Sequence, residues 1–102
     1  MIEQNFKNAG NCESMREVRQ AIDSLDEQLL DILAMRIKYI ERAGQIKTSI
    51  DSIRDDNRID AIILKRSAQA REHGYSEEII ESLFRALIEY SVAHEMQIFK
   101  NK

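Results

Sequence analysis

The chain contains 102 residues, of which 43% are hydrophobic and 32% are charged, and its formal net charge is −3. These values are typical of one soluble domain, and an acidic chain without a run of Lys or Arg is not expected to bind nucleic acid. One cysteine and two histidines exclude an internal disulfide framework and give no zinc-binding spacing, so we expect no metal site. No apolar run exceeds four residues and the first ten lack a signal-peptide core, which favours a cytoplasmic protein with no membrane association.

The spacing of apolar residues predicts an all-α fold. The chain has no proline and only three glycines, and its apolar residues recur at intervals of three and four nearly throughout. Residues 1–13 are polar, and we expect a flexible segment there, followed by one helical domain over residues 14–102. Ser14 is the predicted N-cap of the first helix, and Glu17 completes a capping box with it. This helix is predicted to run to about Ile50.

Two further helices are predicted after a charged connection. Residues 51–57 are rich in charge and are the predicted break after the first helix. The second helix is predicted from about Asp56 to Glu72, with Gly74 at the C′ position that closes it. Ser76 is the predicted N-cap of the third helix, whose first turn begins with two glutamates that suit the positive end of the helix dipole.

The first helix carries an apolar repeat that is too long for one small subunit. Eleven of its twelve positions are apolar or aromatic. The two registers are Met15, Ile22, Leu29, Arg36, Ala43, Ile50 and Val18, Leu25, Ile32, Tyr39, Ile46, Ile53. About 36 helical residues make a rod of ~54 Å, whereas a compact chain of this size has a radius of gyration of only ~13 Å. We therefore expect a three-helix subunit in an intertwined homodimer, in which this helix pairs with its counterpart. The alternative is a break near Gly44 that folds the helix back.

The twelfth position of the repeat is Arg36, a charge in an otherwise apolar stripe. A buried charge is costly unless it is paired, and no acidic residue occupies the repeat, so an anionic ligand between helices is a candidate partner. Lys47 follows eleven positions later, which leaves only ~20° between the two cations and ~16 Å along the helix axis. Arg19 lies ~100° away from Arg36, so it does not readily face the same pocket within one chain, although the partner's Arg19 could do so in a dimer whose first helices cross. Arg58, in the first turn of the second helix, adds a fourth cation. The alternative for each cation is a solvated side chain.

Glu95 extends an apolar stripe of the third helix. Phe84, Ile88, Ser91 and Glu95 fall on one helical face. Burial favours the neutral acid, which donates a hydrogen bond that a carboxylate does not, whereas a nearby cation favours the carboxylate. The alternative is a helix that frays before Glu95. The cations, the acid and the Ser91 hydroxyl together predict a pocket for a small, multiply anionic organic ligand, with any chemistry depending on positioning and electrostatics.

From Ser14 to Phe99 the sequence resembles the all-helical class of chorismate mutases, including its isochorismate pyruvate lyase branch. The matching segments are VRQAIDSLD at 18–26, Arg36, GQIK at 44–47, Arg54-Asp55 with Arg58, and the tail from Leu83 to Val92. The spacing of Arg19, Arg36 and Lys47 within a helical pattern is the most specific part of this resemblance.

The resemblance implies a homodimer with two equivalent sites, a small dianionic substrate and no cofactor. Arg19 from the partner subunit and Arg36 would bind substrate carboxylates, and Lys47 would contact the ether oxygen as its C–O bond breaks. The other implied pocket residues are Asp55, near the ring hydroxyl, Arg58 and Ser91. The implied reaction is the intramolecular Claisen rearrangement of chorismate to prephenate in aromatic amino-acid biosynthesis, in which the enzyme holds a compact conformer and stabilises charge on the ether oxygen.

Two positions depart from the common pattern of the family. The residue after Arg58 is often a glutamate that helps bind the ring hydroxyl in bacterial mutases, whereas Ile59 resembles the lyase branch. The ether-oxygen donor is commonly glutamine, whereas here it is Glu95, which must be protonated in order to donate. We therefore expect activity to decline as Glu95 ionises, and the Glu95→Gln variant to have a flatter pH profile.

Three functions are compatible with these residues, and chorismate mutase is the leading one. The alternative is an isochorismate pyruvate lyase that forms salicylate and pyruvate, or a mutase of a modified chorismate. Ile59 favours this alternative and Glu95 does not. The third is a non-catalytic dimeric helical interaction module whose inward charges set register, although such a device needs only one buried polar residue.

Overall fold

The computed structural model describes residues 5–102, which form three α-helices and two short 3₁₀ helices. The α-helices are α1 (Met15–Ile46), α2 (Asp56–Glu72) and α3 (Glu77–Asn101), and the 3₁₀ helices are Ala9–Asn11 and Ile50–Ser52. Residues 5–102 contain no strand, which confirms the all-α prediction. None of the helices in this range is long and apolar enough to cross a membrane. The predicted flexible segment 1–13 includes residues 1–4, which lie outside the described residues, and it stays a prediction.

The chain divides into two compact units, and the boundary between Lys38 and Tyr39 lies inside α1. In the N-terminal unit, which ends at Lys38, α1 begins as predicted, because Ser14 Oγ accepts a hydrogen bond from the backbone N–H of Glu17. The Glu17 carboxylate accepts from the N–H of Glu13, one residue earlier than in a regular capping box. Its other oxygen pairs with Lys7, which draws the carboxylate toward the segment before the helix and lowers the pKa of Glu17.

In the C-terminal unit, Tyr39–Lys102, α1 continues through Gly44 and ends at Ile46. The alternative break near Gly44 is therefore wrong, and so is the predicted end near Ile50. The apolar repeat continues beyond Ile46, but Ile53 is buried in the connection rather than on a helix. The ammonium of Lys102 donates to the carbonyls of Gln45 and Lys47, which satisfies acceptors left free at a helix C-terminus.

The predicted bounds of α2 and the start of α3 are confirmed. Gly74 has φ of 68° and lies between two hydrogen bonds that close α2, from Gly74 N–H to the Arg71 carbonyl and from Tyr75 N–H to the Ala70 carbonyl. Ser76 Oγ accepts from the N–H of Ile79 and caps α3. The two helices enclose a small apolar core, formed by Ile59, Ile63 and Ile88 with Ile62, Phe84 and Val92 packed against it.

Candidate active site

The C-terminal unit brings Lys47 and Glu95 into contact. Lys47 directly follows α1, and its Nζ lies 2.7 Å from Oε1 of Glu95 on α3. Glu95 is only 5% exposed, so the alternative in which α3 frays before it is wrong. Its Oε1 has no hydrogen bond of regular geometry, so the contact is an ion pair that lacks hydrogen-bond alignment. Lys47 Nζ also donates a long hydrogen bond of 3.5 Å to the carbonyl of Ile53. A buried carboxyl group facing an ammonium thus forms the centre of the site.

The close approach of α1 and α3 depends on the glycine at position 44. A Cβ atom there would lie 2.8 Å from the backbone oxygen of Glu95 and 3.0 Å from the side chain of Ile98. One turn earlier on α1, Glu41 Oε2 lies 2.9 Å from Nε2 of His94 on α3. These contacts determine how deeply α3 packs on α1, and they place the Glu95 side chain beside Lys47.

The face of α3 that carries Glu95 is otherwise apolar apart from one hydroxyl. Ser91 is half-buried one turn before Glu95, and its Oγ donates to the carbonyl of Leu87 at 2.8 Å. Ile88 and Val92 pack into the core beside it. The surroundings of Glu95 on its own helix are therefore of low polarity, which strengthens any electrostatic interaction made there.

The start of α2 places the other predicted pocket residues. Asp55 is the N-cap, and its Oδ1 accepts from the backbone N–H of Arg58 at 3.1 Å. Asp55 and Arg58 are both exposed, whereas Ile59 is buried in the core with Ile63 and Ile88. The Asp55 carboxylate therefore has a structural role in α2, and position 59 contributes packing and no polar group.

Arg54 ties the connection before α2 to α3. Its guanidinium donates to both carboxylate oxygens of Glu89, at 3.0 and 2.7 Å, and its Nε donates to Asp56 at 3.0 Å. The hydrogen bond from Arg54 lowers the pKa of Glu89. This bidentate pair holds the connection that presents the Ile53 carbonyl to Lys47.

The remaining predicted cations, Arg19 and Arg36, lie on the part of α1 that belongs to the N-terminal unit. Arg19 is exposed and Arg36 is half-buried. Burial lowers the pKa of the Arg36 guanidinium, although an arginine stays charged near neutral pH despite such a shift. Arg36 thus keeps a partly desolvated positive charge within the apolar repeat.

Comparison with known proteins identifies the family. Residues 18–96 match the family described as chorismate mutase type II, and this range covers most of the chain. The chain belongs to the chorismate mutase type II family. This match confirms the resemblance found in the sequence, and with its relatives it confirms the predictions of an enzyme and of chorismate mutase as the function.

Three relatives extend this match. An isochorismate pyruvate lyase of Pseudomonas aeruginosa is 27% identical over 95 residues, which cover 93% of this chain and 94% of the lyase. A chorismate mutase of Methanocaldococcus jannaschii is 29% identical over 86 residues, which cover 83% of this chain and 87% of that enzyme. The T-protein of Haemophilus influenzae is 30% identical over 86 residues, but these make up only 23% of its length. Two of these relatives thus carry the names of the two activities weighed from the sequence.

Proposed function

We propose that this protein converts chorismate to prephenate in a site centred on Lys47 and Glu95. The observation that carries the proposal is the 2.7 Å approach of the Lys47 ammonium to the buried carboxyl group of Glu95. The rearrangement breaks the ether C–O bond and forms a C–C bond within the same molecule, so the protein supplies no atom, proton or electron to the product. Catalysis then requires only that the site hold a compact conformer and stabilise negative charge on the ether oxygen.

Lys47 and Glu95 are the donors for that oxygen in our proposal. The Lys47 ammonium donates in either state of its neighbour, whereas Glu95 donates only as the protonated acid. When Glu95 is ionised, its carboxylate neutralises the Lys47 ammonium at 2.7 Å and repels charge that develops on the ether oxygen. The active form is therefore the one in which Glu95 carries a proton. Each well-placed donor contributes ~2.7–4 kcal/mol, if oxyanion-hole magnitudes apply.

We infer that the two carboxylates of the substrate are bound by Arg36 and by Arg19 of a second subunit. The half-buried position of Arg36 within the apolar repeat supports its role, together with its place in the family resemblance. The resemblance to the family supports the role of Arg19. Asp55, Arg58 and Ser91 complete the proposed pocket.

We propose an intertwined homodimer, because the repeat on α1 is uncovered in one chain. In the N-terminal unit Ile22, Leu29 and Ile32 are 49%, 52% and 52% exposed, and in the C-terminal unit Tyr39 and Ile46 are 75% and 62% exposed. Large apolar side chains in a continuous row favour burial against another helix. Light scattering should give a mass of twice the 11.9 kDa chain. A monomer would contradict the shared site.

A cytoplasmic location of the protein stays a prediction.

The second candidate function is isochorismate pyruvate lyase, and Ile59 is the residue that favours it. Ile59 packs in the core and has no polar side-chain atom that could bind a ring hydroxyl. The lyase relative also matches this chain over nearly its full length.

One experiment separates the candidates. The purified protein is incubated with chorismate or with isochorismate, the uncatalysed reaction in buffer is subtracted, and Lys47→Met serves as the control variant. Prephenate from chorismate supports the mutase, and salicylate with pyruvate from isochorismate supports the lyase. No product from either substrate would overturn both proposals.

A further inference from the structure

The C-terminal end of α1 is held by an ammonium group from the end of α3. Lys102 Nζ donates to the carbonyl of Gln45 at 3.0 Å and to the carbonyl of Lys47. The same Nζ lies 4.6 Å from the centre of the Phe99 ring. We propose that Lys102 is a positioning residue for Lys47, since it fixes the backbone at the point where the chain leaves α1. This inference rests on the proposed function, in which Lys47 acts on the substrate.

The end of α1 needs an outside cation because the helix supplies none. The last carbonyls of a helix lack intrahelical partners and carry the negative end of the dipole. The last turn of α1 contains no basic residue. Lys102 therefore provides both hydrogen-bond donors and a positive charge where α1 itself has neither. Water would replace these bonds without fixing the direction of the chain.

Lys102 directly follows α3, the helix that carries the Glu95 carboxyl group, which explains how Lys102 acts on the Lys47–Glu95 distance. Phe99 lies one turn after Glu95 on α3, and the Lys102 ammonium rests over its ring. The backbone of Lys47 is thus tied to the same stretch of α3 that presents Glu95. Among residues 5–102, the other contacts of Lys47 are the side-chain ion pair with Glu95, the long bond to the Ile53 carbonyl and the backbone bond from its N–H to the Ala43 carbonyl.

Three variants test the inference. Lys102→Met removes the donors and keeps an unbranched side chain, and Lys102→Arg restores them. Lys100→Met is the matched control, because Lys100 is exposed in the last turn of α3 and has no hydrogen bond or ion pair among residues 5–102. We expect Lys102→Met to lower kcat about tenfold with little change in KM, because misplaced catalytic groups lose rate more than binding. Lys102→Arg should recover most of this loss and Lys100→Met should match wild type. An unchanged kcat in Lys102→Met would overturn the inference.

A double-mutant cycle separates positioning from general destabilisation. In a Lys47→Met background there is no ammonium left to place, so adding Lys102→Met should cost no further activity. If the two losses instead multiply, Lys102 acts independently of Lys47 and the inference fails.

The inference and the proposed function fail in different ways. A wild-type protein that converts neither chorismate nor isochorismate overturns the proposed function. Amide hydrogen exchange over residues 45–53 then tests the anchor alone. Faster exchange in Lys102→Met than in wild type and in Lys100→Met supports the anchor, and equal exchange in all three overturns it.

Discussion

The Nζ of Lys47 lies 2.7 Å from Oε1 of Glu95, and Glu95 is buried. The same two groups are the proposed donors to the ether oxygen. A carboxylate at Glu95 neutralises the positive charge of the Lys47 ammonium, whereas a protonated carboxyl group adds a second hydrogen-bond donor to the ether oxygen. In our proposal, the protonation state of Glu95 therefore decides whether this residue supports or opposes the reaction.

The first prediction concerns the pH dependence of activity. We expect kcat/KM of the wild-type enzyme to fall as rising pH ionises Glu95. Glu95→Gln should give a flatter profile, because an amide N–H donates at every pH. The measurement is the rate of prephenate formation across the acidic and neutral range. Glu78→Gln, an exposed glutamate in the first turn of α3, should keep the wild-type profile. A Glu95→Gln profile that matches wild type would remove Glu95 from the mechanism.

The second prediction concerns Gly44. Gly44→Ala should destabilise the fold by about 1–3 kcal/mol, because the new Cβ meets the backbone oxygen of Glu95 at 2.8 Å and no side-chain rotation relieves that contact. The gain in helix propensity, about 1 kcal/mol, offsets only part of this cost. Activity should fall as well, since Glu95 must move. Urea denaturation and steady-state kinetics measure both effects.

Gly10 provides the matched control for Gly44. A Cβ at Gly10 meets no atom within 4 Å, so Gly10→Ala should leave stability and activity close to wild type. Equal stability of both variants would show that the contact between α1 and α3 at Gly44 is not tight.

The third prediction tests the shared site. Arg19→Ala and Arg36→Ala should each be nearly inactive as homodimers. When the two variants are unfolded together and refolded, each mixed dimer regains one site with both arginines. Random pairing then restores about a quarter of the wild-type activity, because half of the dimers are mixed and each has one intact site.

Two controls make the mixing experiment decisive. Refolding either variant alone should restore no activity. Mixing Arg36→Ala with Lys47→Met should also restore none, because both residues are proposed to act in the site of their own subunit. Recovery in that mixture, or none in the first, would contradict the proposed sharing of Arg19.

The fourth prediction concerns acid stability through Arg54 and Glu89. Because the hydrogen bond from Arg54 lowers the pKa of Glu89, the pair stabilises the folded protein above the unfolded-state pKa of glutamate. This stabilisation is lost as pH falls through the lowered pKa. Wild type should therefore resist urea better than Glu89→Gln at neutral pH, and the difference should vanish in acid. Glu27→Gln, which changes an exposed glutamate with no ion pair among residues 5–102, should differ little from wild type at either pH.

Local sequence patterns were sufficient to predict the three helices, apart from the end of α1. The serine caps at Ser14 and Ser76, the left-handed Gly74 and the three-and-four spacing of apolar residues act within a few positions of the chain, so the sequence predicts them directly. The predicted end of α1 near Ile50 was wrong because the apolar repeat is compatible both with a longer helix and with a connection that buries Ile53.

By itself, the sequence determined the all-α class, the family and the face of each helix on which the candidate residues lie, because periodicity defines directions about a helix axis. Only the tertiary structure decided the distances between helices. How deeply α1 and α3 pack decides three contacts, and no single helix encodes that depth. Lys47 meets Glu95, Gly44 leaves room for the α3 backbone, and Lys102 reaches the end of α1.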